Sequence, residues 1–301
     1  MTYFIDLRAD SKGGNPVADV GSVVVRTDAE PDPNPSHPLA PELIQAIQGR
    51  DVLLGTHGFK VNRGDGIYNL SHWAQWLKLG DNGFFVGVLW PGDSRWLPVL
   101  DYPIENSEAI RSGRLLAEYL DKNFSGANSL SFTSHSLGAR VILETVRNLS
   151  GNVRIGTITV MAAAIDDTCL VNEYGDAARR GTKLSVLASS CDEVLKWAFP
   201  VGNPVAGIVT RGDPYWHGAL GRFGPYPADQ PGNLWKTPNL PDTWNFGHHS
   251  YINYEDHGPG NPPSGAFALP VTVPPQGTAV PSQAPDWQQA FAAGFVSTHF
   301  T

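Results

Sequence analysis

The sequence predicts an α/β protein: a mostly parallel sheet with helices on both faces. Three observations carry this. From Asp51 onward, short and almost continuously apolar runs alternate with stretches of helical periodicity, as strands buried on both faces require. Residues 132 to 138, Phe-Thr-Ser-His-Ser-Leu-Gly, set Ser136 among small residues where a strand runs into a helix. An earlier strand ends in His57-Gly58-Phe59, and acid and histidine candidates follow Ser136 in that order along the chain.

The elements follow in sequence. Tyr3 to Leu7 and Val23 to Arg26 read as strands, before a proline-rich link containing Pro31, Pro33, Pro35, Pro38 and Pro41. Val52-Leu53-Leu54 is a short strand, and Leu70, Trp73, Ala74 and Leu77 mark one face of a helix that stops at Gly80. Phe84 to Trp90 is an apolar strand closed by Pro91-Gly92. Ile110, Gly113, Ala117, Leu120 and Phe124 predict a helix from about Asn106 to Phe124. Leu130 to Thr133 has strand character, and the run from Leu137 to Leu149 is helical up to Ser150-Gly151. Then come a strand at Ile155 to Ala163, a short helix at Tyr174 to Arg180, a strand at Leu184 to Ala188 and a short helix at Val194 to Phe199. Thr243 to Phe246 is expected to be the last strand.

A single domain over residues 1–301 is expected, with its core at about 50–255. Residues 200–242 are rich in glycine, proline and aromatics (Trp216, Phe223, Tyr226, Trp235), and form an irregular insertion before the candidate base. That insertion, with Trp90 and Trp96, is a candidate cap or wall for an apolar substrate; satellite core packing is the alternative. Residues 258–301 read as a proline-rich C-terminal extension.

Composition excludes several classes. Net charge is −8 with no cluster of lysine or arginine, which argues against nucleic acid as a partner. No apolar run reaches the roughly 18 residues of a membrane span, and the N-terminus has no signal-peptide pattern, so a soluble, cytoplasmic protein is expected. The two cysteines, Cys169 and Cys191, sit in no metal spacing, and free thiols are expected over a bridge. Neither Asp166-Asp167 nor His248-His249 has ligand spacing, and no HExxH occurs, so no metal or other cofactor is expected. Arg-Gly-Asp occurs at Arg63 to Asp65 and again at Arg211 to Asp213, both read as loop segments.

The chemistry centres on Ser136. A tight strand-to-helix turn projects the hydroxyl out of the sheet and tolerates only small neighbours. A neutral hydroxyl then needs a histidine as base and a carboxylate to orient that histidine. Asp192, just past the strand Leu184 to Ala188, is the preferred acid, with Asp166, Asp167 and Glu193 as alternatives. Aspartate also favours helix N-caps, the competing reading of Asp192. His249 is the preferred base, His248 the alternative, with His257 further downstream. The backbone N–H groups of Leu137 and Phe59 are the expected oxyanion donors, Gly58 allowing close approach. His57, Trp90 and His135 are candidates to line the substrate pocket, with His57 read as a structural hydrogen-bonder rather than a base.

On these residues the chain resembles the α/β-hydrolase superfamily, in its esterase- and lipase-like part. The resemblance rests on His57-Gly58-Phe59, on Ser134-His135-Ser136-Leu137-Gly138, on Asp192 and on His249. It looks nearest to a little-characterised bacterial branch with a Trp-Pro strand end (Trp90-Pro91), a Ser-x-x-Asp-x-x-Leu-like acid segment (Ser189 to Leu195) and a His-Ser-Tyr (His249 to Tyr251). It covers about residues 50–255 and departs where Ser134 replaces the first elbow glycine. The resemblance implies hydrolysis of carboxylic esters through an acyl-enzyme without naming the acyl group; the aromatic segment 200–242, with Trp90 and Trp96, points to a small-molecule ester with an apolar acyl or aryl part. An amidase, peptidase or acyltransferase with the same triad is the alternative, and a catalytically silent binding protein of the same fold is a third.

Overall fold

The computed structural model describes residues 1–12, 14–29, 39–93, 102–196, 218–228, 239–252 and 286–300, with no side chains described over 102–106. Trp96, Trp216, Trp235, the second Arg-Gly-Asp, His257 and the proline-rich stretch 258–285 lie outside the described residues.

Seven strands form one sheet: β1 (Tyr3–Asp6), β2 (Val24–Thr27), β3 (Asp51–Thr56), β4 (Gly83–Leu89), β5 (Ser129–His135), β6 (Arg154–Met161) and β7 (Lys183–Leu187). Their order is β2-β1-β4-β3-β5-β6-β7. Only the edge pair β1–β2 is antiparallel; the other neighbours are parallel. The strands predicted from apolar runs are therefore in place, apart from the last. All seven residues of β5 are buried, so both faces of the sheet are covered and its apolar side chains alternate between two cores.

The first core takes Ile5, Val52, Leu54, Val86, Val88, Ile158 and Val160 from the strands. They pack under α1 (Ala40–Ala46), α3 (Tyr102–Asn123), α4 (Gly138–Asn148) and α5 (Gly175–Arg180). The second core takes Phe4, Leu53, Leu89 and Met161 from the opposite face. These meet α2 (Arg63–Ala74) and the C-terminal helix, with α6 (Leu220–Phe223) lying between α5 and that last helix, α7 (Trp287–His299), in chain order. Chain direction fixes the site: β3 leads through α2 to β4 on one side, while the next strand, β5, lies on the other side of β3. A crevice at the carboxyl ends of two such strands is where open α/β sheets bind ligands.

Three expectations are corrected. Thr243 to Phe246 is not a strand: Asp242–Trp244 forms a 3₁₀ turn and Asn245 takes a left-handed φ of 49°. The aromatic residues there are buried by packing against α7 rather than by sheet pairing. The C-terminal region is not proline-rich extension throughout, because Ala292, Ala293 and Val296 of α7 enter the second core. The first Arg-Gly-Asp is not a loop. It opens α2, with Asn62 as N-cap accepting from the Asp65 N–H at 3.0 Å and Arg63 paired to buried Asp6 at 2.7 Å. Both cysteines are free thiols, as expected.

Candidate active site

Ser136 follows directly on the last residue of β5 and precedes α4 by two residues. Its φ is +53°, a left-handed conformation that costs a non-glycine residue about 1–3 kcal/mol. The turn is held because the Ser136 N–H donates to Met161 O at 3.0 Å, while the Ala139 and Arg140 N–H groups close the first turn of α4 onto Ser136 O and Leu137 O. Small residues are needed for a measurable reason. A Cβ on Gly138 would lie 2.4 Å from His57 O, and one on Gly58 would lie 2.7 Å from Ser136 Cβ. The loop after β3 is thus pressed against the elbow. Among the described residues no acceptor takes up the N–H of Leu137 or Phe59. The 11-residue α4 directs its N-terminal dipole toward the same spot.

Asp192 lies past the end of β7 and is fully buried. Its carboxylate divides between two donors: Oδ1 accepts from the Leu195 N–H at 2.9 Å, capping the helical turn 193–196, and Oδ2 faces His248 Nδ1 at 2.8 Å. Arg222 Nη1 donates to Asp192 O at 2.6 Å and ties α6 to the acid. A carboxylate can only accept, so Nδ1 of His248 carries hydrogen and Nε2 is left to accept from the Ser136 hydroxyl, 2.9 Å away.

The expectation that His249 is the base is therefore corrected: His248 meets both Ser136 and Asp192, and His249 is exposed. The two belong to a 3₁₀ turn, His248–Ser250, where successive residues point about 120° apart. Phe246 and Tyr251 are buried on either side, their rings 5.1 Å apart. Residues i and i+3 eclipse in such a turn, so His248 shares the inward face with Tyr251 while His249 turns out. That spacing to a large aromatic is the sequence signal for which histidine faces Ser136 and Asp192.

The other acids are engaged elsewhere. Asp166 Oδ1 accepts from the Thr168 N–H and hydroxyl at 2.8 and 2.6 Å, Asp167 Oδ2 accepts from the Gly218 N–H at 3.1 Å, and Glu193 pairs with Lys196. The pocket candidates are corrected too: His57, Trp90 and His135 are fully buried and present no open surface. His57 is the structural hydrogen-bonder expected. Its Nδ1 donates to Gly58 O at 2.9 Å and its Nε2 accepts from the Trp90 N–H at 3.3 Å, while Trp90 Nε1 donates to His57 O at 2.9 Å. Burial above all, with Arg8 nearby, lowers its pKa to about 3. His135 is likewise held well below the ordinary histidine value by burial and by His248. Among the described residues no cluster of His, Cys, Asp or Glu fits a metal ion, and no helix is long and apolar enough to cross a membrane.

No curated protein matches the chain. Two crystal forms of the Pyrococcus furiosus esterase Pf2001 are similar to it over 48% and 52% of its length, at 12% and 13% identity and a TM-score of 0.29 in each case. The chain spans 63% of the first, less than two thirds, and 68% of the second. A family model described as an alpha/beta hydrolase of unknown function (DUF900) matches residues 38–211. That match takes in the His57-Gly58-Phe59 loop, the elbow and Asp192, and ends before His248. Covering more than half of the chain, it makes this protein a member of that α/β-hydrolase family.

Proposed function

We propose that the protein is a serine hydrolase that cleaves carboxylic esters through an acyl-enzyme. One observation carries the reading: Ser136 Oγ, His248 Nε2 and Asp192 Oδ2 form a continuous hydrogen-bonded relay at 2.9 and 2.8 Å. The tautomer fixed by Asp192 is the one a general base needs. Ser136 Oγ attacks the ester carbonyl carbon while its proton passes to His248 Nε2. The carbonyl oxygen, now anionic, accepts from the N–H groups of Leu137 and Phe59, a donor of this kind being worth about 3–4 kcal/mol. His248 returns the proton to the leaving alkoxide, and the alcohol departs. Water then attacks the acyl-enzyme with His248 again as base, releasing the acid and restoring Ser136.

An activity-based fluorophosphonate probe tests this directly. Labelling is expected on Ser136 and absent in Ser136→Ala. A folded wild-type protein that takes no label would sink the reading. Rates on a series of p-nitrophenyl esters of rising chain length, set against a matched anilide, then separate an esterase from an amidase and size the acyl group.

A further inference from the structure

We propose that His135 is a positioning residue that locks the histidine loop and the oxyanion loop to the nucleophile, an inference that rests on the serine-hydrolase reading above. His135 stands just before Ser136 and is fully buried. Its Nε2 lies 2.7 Å from the backbone carbonyl of His248. A carbonyl only accepts, so this nitrogen carries hydrogen and Nδ1 does not. The imidazole also packs against the base itself, ring centroids 4.8 Å apart, and against Tyr251 at 6.2 Å. At its other end the ring meets the oxyanion loop: a Cβ on Gly58 would lie 3.0 Å from His135 Nδ1. One side chain therefore touches both loops that must stay in register with the neighbouring Ser136.

The residue whose carbonyl is latched is the base. Fixing that peptide fixes the point from which the His248 ring swings, and leaves side-chain torsions alone to place Nε2. An error of 1 Å in such a placement costs about 10²-fold in rate. Burial keeps His135 neutral, so the latch adds no positive charge beside His248 when that ring takes the serine proton.

Two conservative variants separate the ends of the ring. Gln carries its amide nitrogen near the place of imidazole Nε2, and Asn carries its own near Nδ1. His135→Gln thus keeps a donor for the His248 carbonyl, while His135→Asn loses it. With the full chain, His135→Asn is expected to react with the fluorophosphonate about 10–100-fold more slowly, with kcat reduced and KM little changed. The far-downfield proton resonance of the His248–Asp192 hydrogen bond, assigned by its absence in His248→Ala, should broaden or vanish. His135→Gln should recover most of the rate and keep the resonance. The proposal is overturned if His135→Asn reacts at the wild-type rate with its resonance intact, or if His135→Gln does no better than His135→Asn. Should His135→Asn fail to melt cooperatively, His135→Leu fills the space without a donor and carries the same expectation. If the wild type takes no label, the hydrolase reading fails, while the resonance in the variants still reports whether the latch holds the loop.

Discussion

The two halves of the candidate site are built by different means. The elbow and the His57-Gly58-Phe59 loop sit at the ends of adjacent parallel strands, in a register fixed by the sheet, with Thr56 of β3 opposite Ser134 of β5. The histidine loop, residues 239–252, has no strand at all. It descends through two 3₁₀ turns separated by a left-handed Asn245, and is held by aromatic packing against α7. Regular structure places Ser136 by local sterics, whereas an irregular loop places His248 with the help of contacts more than forty residues away in sequence.

The sharpest way to break this comparison lies in the histidine pair. His248→Ala should lower kcat/KM on an activated ester by about 10⁴–10⁶-fold. His249→Ala, removing an exposed ring, should stay within about threefold. Equal losses from both would mean that the loop does not hold a single phase, and the contrast between the halves would collapse.

Asp192 comes next, because it belongs to both halves. Asn at this position still offers an oxygen to the Leu195 N–H, but its amide group can no longer accept from His248 Nδ1. Asp192→Asn should therefore lose about 10⁴-fold in kcat through the wrong tautomer, at little cost in melting temperature. Asp192→Ala removes the cap as well, about 1 kcal/mol, and should melt a further ~2–4 °C lower. If Asn and Ala melt alike, Oδ1 contributes no capping and the acid has one role.

These outcomes bear on what was legible beforehand. Ser136, Leu137, Gly58 and Phe59 could be read because the elbow is a local steric pattern; the close approaches of Gly58 and Gly138 are its physical content. For Asp192, cap and acid looked like rivals, yet a carboxylate has two oxygens and serves both. The sequence prefers His249, one residue beyond the histidine that meets Ser136 and Asp192, because the choice depends on the phase of one 3₁₀ turn. Phe246 and Tyr251 set that phase, together with Trp287 and Phe291 of a helix hidden behind a proline-rich stretch. The pocket candidates failed for another reason: His57 and His135 flank the candidate site in sequence, but both are buried and bonded to backbone carbonyls, so they brace the loops instead of lining a pocket.

That burial gives the sheet-built half an acid sensitivity of its own. His57 titrates at about 3 in the folded protein against 6.5 for the ordinary side chain. Between these values the unfolded chain binds a proton there that the folded protein does not. The contribution is complete above pH 6.5 and is lost as pH falls, by about 1.4 kcal/mol per pH unit. His135, shifted in the same direction, steepens the loss. Urea unfolding at pH 7, 6 and 5 should show this slope, and His57→Gln should flatten it by about one proton. An unchanged slope in that variant would place the acid sensitivity elsewhere.

The smallest expected effect tests the other half. Gln288, in the first turn of α7, donates from Nε2 to Trp244 O at 2.8 Å and to Asn245 O at 3.1 Å. It thereby ties down the carbonyls around the left-handed residue that redirects the chain toward His248. Gln288→Ala removes about 0.5–1.5 kcal/mol of hydrogen bonding, a fall of ~2–4 °C in melting temperature. If α7 aims the base, as the packing argues, kcat should fall a fewfold with KM unchanged, since a displaced Nε2 weakens the transition state and leaves ground-state binding alone. A lower melting temperature with unaltered kcat would reduce α7 to a cover for the second core, and the phase of the turn would then be set by Phe246 and Tyr251 alone.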